Sequence, residues 1–247
     1  MTGNTHSSKL RAAIRTTIAL AACLALCGCA SMQRISREFS YRYFAPAPPG
    51  DLWSPKIRAW QARENAHLAA ALGDASPAPV SGPGRGAAAA PSAELRQRYA
   101  EKRSSSRARH RPGSERATAR NIARWVQDQA TEYYIPDGAV DHWATLEETL
   151  ARGGDDCDGL ELLTYHLLRD LGFGKDRVFR AIVHRPSDGQ HHMVTLWFED
   201  LLDPWVLDPT GAMTEGMPRM SEVPSWVPLK VFGLKRDFTV TRASRDV

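Results

Sequence analysis

The sequence predicts an α+β domain in which a cysteine opens a helix that packs on an antiparallel sheet. Three observations carry this. Helical periodicity recurs in three segments between residues 118 and 171, strand-like alternation follows Gly174, and the run Gly153-Gly154-Asp155-Asp156-Cys157-Asp158-Gly159 sets a sharp turn directly before a long apolar helix.

Residues 118 to 134 form the first predicted helix of this part, with Ile122, Trp125, Val126, Gln129 and Tyr133 at three and four spacing and a stop before Pro136. Trp143 to Leu150 reads as a short helix ending at Gly153 and Gly154. Asp158 to Leu171 is a third, carrying Leu160, Leu163, Tyr165, Leu167 and Leu168, with Gly172 as its cap. Cys157 then lies at or before the first turn, where the helix dipole favours a thiolate. Acidic neighbours on both sides oppose that effect.

Val178 to Val183 reads as a strand, followed by the turn Pro186-Ser187-Asp188-Gly189. His192 to Phe198 is a second strand, and Trp205 to Leu207 a third that ends at Asp208-Pro209. The order is a helix with Cys, a strand, a strand with His, and a strand with Asp. Residues 218 to 247 read only as further strand and loop.

The N-terminus is of a different kind. Lys9, Arg11 and Arg15 precede an apolar stretch from Thr16 to Leu26, which is the pattern of a signal peptide over residues 1–28. The following Leu26-Cys27-Gly28-Cys29 resembles the lipobox of bacterial lipoproteins. That resemblance implies acylation of Cys29 and, with Ala30 next, residence on the outer membrane facing the periplasm. Several acyl chains give a stable anchor, each buried methylene contributing about 0.8 kcal/mol. Of four cysteines, Cys23 and Cys27 would leave with the signal and Cys29 would be lipidated. Cys157 remains as the lone thiol and a candidate nucleophile.

Charge divides the rest. The chain carries net +4, but residues 94 to 116 hold eight basic and three acidic side chains, whereas 117 to 247 hold fourteen basic and twenty-one acidic. The basic character therefore does not point to nucleic acid. Residues 29–74 are expected to carry the anchor and a helix starting at Ser54-Pro55, with Ile57, Trp60, Leu68 and Leu72 on a narrow apolar face. Residues 75–116, rich in Pro, Ala, Gly, Ser and Arg, are expected to be a disordered basic linker. Residues 117–247 are expected to form the catalytic domain.

The run Trp143 to Leu150, then Gly154-Asp155-Asp156-Cys157-Asp158, His192-Met193-Val194 and Val206-Leu207-Asp208, resembles the bacterial transglutaminase-like cysteine proteinases of the transglutaminase and papain-like group. The resemblance covers roughly residues 118 to 212. It implies a papain/transglutaminase-like core, a protein or peptide substrate, and a triad of Cys157 as nucleophile, His192 as base and Asp208 as orienting carboxylate. His191 competes for the base, since adjacent strand residues face opposite ways. His192 is preferred because it shares a face with Val194 and Leu196 and because Met-Val follows it. His142, His166 and His184 show no zinc-ligand spacing.

The resemblance also associates acidic residues flanking the cysteine with calcium. Asp156 and Asp158 match those positions, although two carboxylates do not fill a shell of six to eight oxygens, and both also suit a helix N-terminus. No cofactor is otherwise implied. Three activities stay open: a hydrolase acting through a thioester, a transglutaminase or amidotransferase using the same groups, and a non-catalytic lipoprotein binding a cell-envelope partner.

Overall fold

Alternating apolar residues after Gly174 build the centre of a sheet, and residues far upstream complete its edge. The computed structural model describes residues 41–73 and 91–243. The expected signal peptide, Cys29 and residues 75–90 lie outside the described residues. In chain order the elements are β1 (Tyr41–Ala45), α1 (Trp53–Gly73), α2 (Pro91–Arg109), α3 (Glu115–Tyr133), α4 (Leu146–Arg152), α5 (Cys157–Asp170), β2 (Val178–Arg185), β3 (Gln190–Trp197), β4 (Trp205–Leu207), β5 (Val227–Phe232) and β6 (Asp237–Arg242). The six strands pair antiparallel in the order β1-β6-β5-β2-β3-β4.

Helix α5 is buried from Asp158 to Leu168, which explains its near-continuous apolar sequence. One side meets β2 and β3, and the other meets α3 and α4. Leu160, Leu163, Leu167 and Leu168 join Ile122, Val126 and Tyr133 of α3 in the main core. Helix α4 begins at Leu146, later than expected. Thr145 and Glu148 form a reciprocal capping box, Thr145 Oγ1 accepting from the Glu148 amide at 3.2 Å and the Thr145 amide donating to Glu148 Oε2 at 2.8 Å.

Two expectations about the upstream segments are corrected. Residues 91–109 are helical instead of forming a disordered linker. Leu95, Tyr99, Lys102 and Ser106 form a buried stripe at four, three and four spacing, and Leu95 and Tyr99 enter the main core. The arginines that suggested a solvated spacer pair with the acidic remainder: Arg96 with Glu147 at 2.6 Å and Arg103 with Asp170 at 2.7 Å.

The folded unit also begins at Tyr41, well before the expected boundary at 117. Strand β1 pairs with β6, and Ile57 and Trp60 of α1 are fully buried against Phe232 and Leu162. Lys230 of β5, itself buried, is paired with Asp51 at 3.1 Å and Asp237 at 3.3 Å. A buried ammonium needs such partners, so residues upstream of α1 are part of the same interior.

Candidate active site

The loop before Cys157 is shaped by two glycines and one carboxylate. Gly153 ends α4 with φ 78°, and Gly154, at φ 148°, leaves no room for a side chain, since an added Cβ would lie 2.2 Å from the Tyr133 carbonyl. The Asp155 amide donates to the Tyr133 carbonyl at 3.1 Å, and the Ile135 amide donates to the Asp155 carbonyl at 3.0 Å. Asp155 is fully buried beneath the helix start. Gly159 makes that possible, because a Cβ there would meet the Asp155 Cβ at 2.4 Å. Asp156 is the N-cap of α5, its Oδ1 accepting from the Asp158 amide at 3.0 Å. Cys157 is therefore the first residue of α5.

The remaining candidates converge from the sheet. Leu207 pairs with Thr195, so Asp208 lies one step beyond the ladder, opposite Val194, and His192 is diagonal to it on the same face. His192 Nε2 and Asp208 Oδ1 are 2.7 Å apart, both side chains enclosed. Asp208 also accepts from the amides of Thr210 at 3.0 Å, Met213 at 2.7 Å and Thr214 at 3.0 Å. Burial alone would raise its pKa, but the His192 contact and these amides hold it below the ordinary carboxylate value. An ionised Asp208 only accepts, so His192 Nε2 carries the proton and Nδ1 is left as the basic atom. His191, the competing residue, also lines the cleft of Cys157 but is exposed; its ring lies against His184 at 4.8 Å and Trp53 at 5.2 Å, and it has no carboxylate partner among the described residues.

Cys157, His192 and Met193 line one cleft of about 160 Å³ with Trp53, Trp143 and Asp141. The Met193 amide stands close enough to the Cys157 thiol to favour its charged form. Trp143 stacks between Trp53 and Phe232, at centroid distances of 6.2 and 5.9 Å. Helix α1 also holds the segment carrying Trp143: Arg63 donates to the Trp143 carbonyl and Glu64 Oε2 accepts from the Leu146 amide at 3.0 Å. Sequence reasoning missed Trp53, Asp141 and the Met193 amide. Trp53 was detectable only as an aromatic at the start of a helix with no assigned partner.

Around Cys157 burial adds to the expected opposition of the acidic neighbours. Burial first, then the charge of Asp156, raises the thiol pKa, and the Met193 amide offsets only part of this. Asp156 is pushed up to about 6, chiefly by burial with Asp137 and Asp155 nearby. Asp158 reaches about 9, through burial and the Asp156 charge. Asp158 Oδ1 is buried with no hydrogen-bond partner among the described residues, and Asp156, Asp158 and Asp141 line the same cleft. This donor chemistry fits a hard cation. No three His, Cys, Asp or Glu groups converge as a metal site among the described residues, so backbone and water oxygens would have to complete any calcium shell.

No protein-family model matches the chain, and no curated protein sequence matches it. Among solved structures, Legionella pneumophila LapG is similar at 18% identity with a TM-score of 0.42, over 57% of this chain and 85% of LapG. Its calcium-bound form gives 18% and 0.43, over 60% of this chain and 92% of LapG. A Cytophaga hutchinsonii chain described as a candidate cysteine protease gives 12% and 0.34, over 81% of this chain and 58% of its own. These are partial likenesses in architecture, and the chemistry of the cleft rests on its own residues.

Proposed function

We propose that this chain is a cysteine hydrolase that cleaves a peptide or isopeptide bond through a thioester. The observation that carries the reading is the enclosed 2.7 Å contact of Asp208 with His192, a residue that lines the same cleft as Cys157. In this reading the Cys157 sulfur attacks the substrate carbonyl as its proton passes to His192 Nδ1. The carbon–nitrogen bond then breaks, and the proton leaves with the amine. Water next adds to the thioester carbon, giving its proton to His192, and the carbon–sulfur bond breaks as the sulfur is reprotonated. Asp208 orients the ring and stabilises its cationic form.

A protonated resting thiol suits a mechanism in which proton transfer accompanies attack. Calcium, where bound, would be held by Asp156 and Asp158 and would offset the carboxylate charge that adds to burial in keeping the thiol protonated. The transglutaminase-like motifs around Cys157, His192 and Asp208 support the same assignment. The lipobox-like Leu26 to Cys29 supports a lipid anchor at Cys29 on the outer membrane, facing the periplasm.

The test is turnover of a quenched peptide library by the full chain, beside Cys157→Ala and His192→Ala, with mass analysis of the products. Loss of cleavage in both variants supports the hydrolase. Amine incorporation without cleavage would replace it with the acyltransferase, and identical inertness of all three proteins would replace it with a binding role. Incorporation of an alkynyl fatty acid that vanishes in Cys29→Ala tests the anchor.

A further inference from the structure

A second cavity, of about 600 Å³, lies between the last turn of α5, the α5–β2 loop and the β5–β6 turn. Its size is typical of small-molecule sites. Arg169, Lys175, Lys235 and Arg236 line it against one carboxylate, Asp176, which pairs with Arg236 at 2.6 Å. Arg169, Lys175 and Lys235 have no ion-pair partner among the described residues. This surplus of positive charge stands within residues 117 to 247, a part of the chain in which acidic side chains outnumber basic ones.

Beneath the cations the wall is apolar. Phe179 is buried, Leu234 is half-buried, and the Tyr165 ring is enclosed with the Arg169 guanidinium 5.7 Å from its centre. The Tyr165 hydroxyl is buried and its proton has no acceptor among the described residues. It abuts Gly233, where an added Cβ would come within 3.3 Å of the oxygen. An enclosed O–H without an acceptor is a cost that an incoming anion would remove. The turn forming the far wall is fixed in advance: Gln61 donates to the Gly233 carbonyl at 2.6 Å and Asn65 to the Leu234 carbonyl at 2.8 Å. Such preorganisation lowers the ordering cost of binding.

We propose that this cavity binds a phosphate monoester with an apolar body, its phosphate held by Lys175, Lys235 and the two arginines while the body rests on Phe179 and Leu234. Three cations without an ion-pair partner among the described residues and one hydroxyl donor match a dianion with three acceptor oxygens better than a single carboxylate. Such an ester can come from a soluble metabolite or from a phospholipid.

Calorimetric titration of the full chain with phenyl phosphate, inorganic phosphate and dihexanoyl phosphatidic acid tests the proposal. Phenyl phosphate is expected to bind about tenfold tighter than inorganic phosphate, through the apolar wall. Lys175→Gln combined with Lys235→Gln is expected to weaken it by about tenfold or more, and Tyr165→Phe by about threefold. Both lysines are exposed, so the double variant should melt like the parent and keep its Cys157 alkylation rate. Tighter binding of the phosphatidic acid identifies a lipid source, and weaker binding a soluble ester. Absence of saturable binding by either ester, equal affinity for inorganic phosphate, or affinity unchanged in the lysine variant overturns the proposal.

Discussion

Arg180 of β2 and Glu161 of α5 form an ion pair with neither side chain exposed to solvent, and the same guanidinium donates to the Asp158 carbonyl at 2.6 Å. Thr195 of β3 donates its hydroxyl to the other Glu161 oxygen. The helix that begins at Cys157 is thereby bolted to both central strands, which fixes how far the thiol stands from His192.

Breaking that pair leaves a buried charge. Arg180→Met is expected to destabilise the protein by about 3–5 kcal/mol, whereas Arg180→Met with Glu161→Met should recover most of the loss. Chemical denaturation of the two variants measures the difference. Equal losses in both would show that packing, and not charge, sets the cost.

Gly159→Ala drives a methyl group into Asp155, and overpacking of this kind costs about 1–3 kcal/mol. The damage should be felt at the cleft, because Asp155 anchors the turn leading into Cys157. The expected outcome is a lowered melting temperature together with reduced peptide cleavage.

Asp156→Asn removes the charge that follows burial in raising the Cys157 pKa. The alkylation profile with iodoacetamide should therefore move to lower pH. Because Asn keeps a side-chain oxygen for the helix cap, the change in melting temperature should be small. An unshifted profile would leave burial and the other carboxylates, Asp158 and Asp208, as the cause.

Asp158 titrates at about 9 in the folded protein and from 3.8 as the unperturbed group. Between those values the native state holds the proton that the unfolded chain has lost, so stability falls as pH rises through the interval. Thermal melts across pH 4 to 9 should show this slope, and Asp158→Asn should flatten it. Calcium is expected to flatten the wild-type slope and to leave the variant unchanged.

Leu95→Ala tests whether α2 belongs to the core. A buried leucine truncated to alanine costs about 2–5 kcal/mol, while a residue in a solvated spacer costs almost nothing.

Much of the site was legible because its signals are local. A lone cysteine after two glycines, two period-two strands and an Asp-Pro stop suffice to order Cys157, His192 and Asp208 along the chain. The diagonal between His192 and Asp208 needed the register, which alternation alone does not provide. For Cys157 the sequence shows both the helix terminus and the opposing carboxylates, but not the burial that outweighs them. The stripe of Leu95, Tyr99, Lys102 and Ser106 was hidden by its composition: two of its four members are polar, and the arginines around it find their partners only in three dimensions. β1 was missed altogether, since five residues carry no pattern without their partner strand.

The pairing of Tyr41 with Arg242 joins positions roughly 200 residues apart. Such a contact forms late, because its loop-closure entropy is offset only once the intervening sheet exists. A growing chain cannot seat β1 beside β6 until Asp237–Arg242 has been made, and β5 keeps an open edge until then. Trp53, which walls the cleft, is on the helix directly after β1. The cleft around Cys157 is thus finished only after β6 is made, so a copy cut short before Asp237 would hold its cysteine without the completed groove.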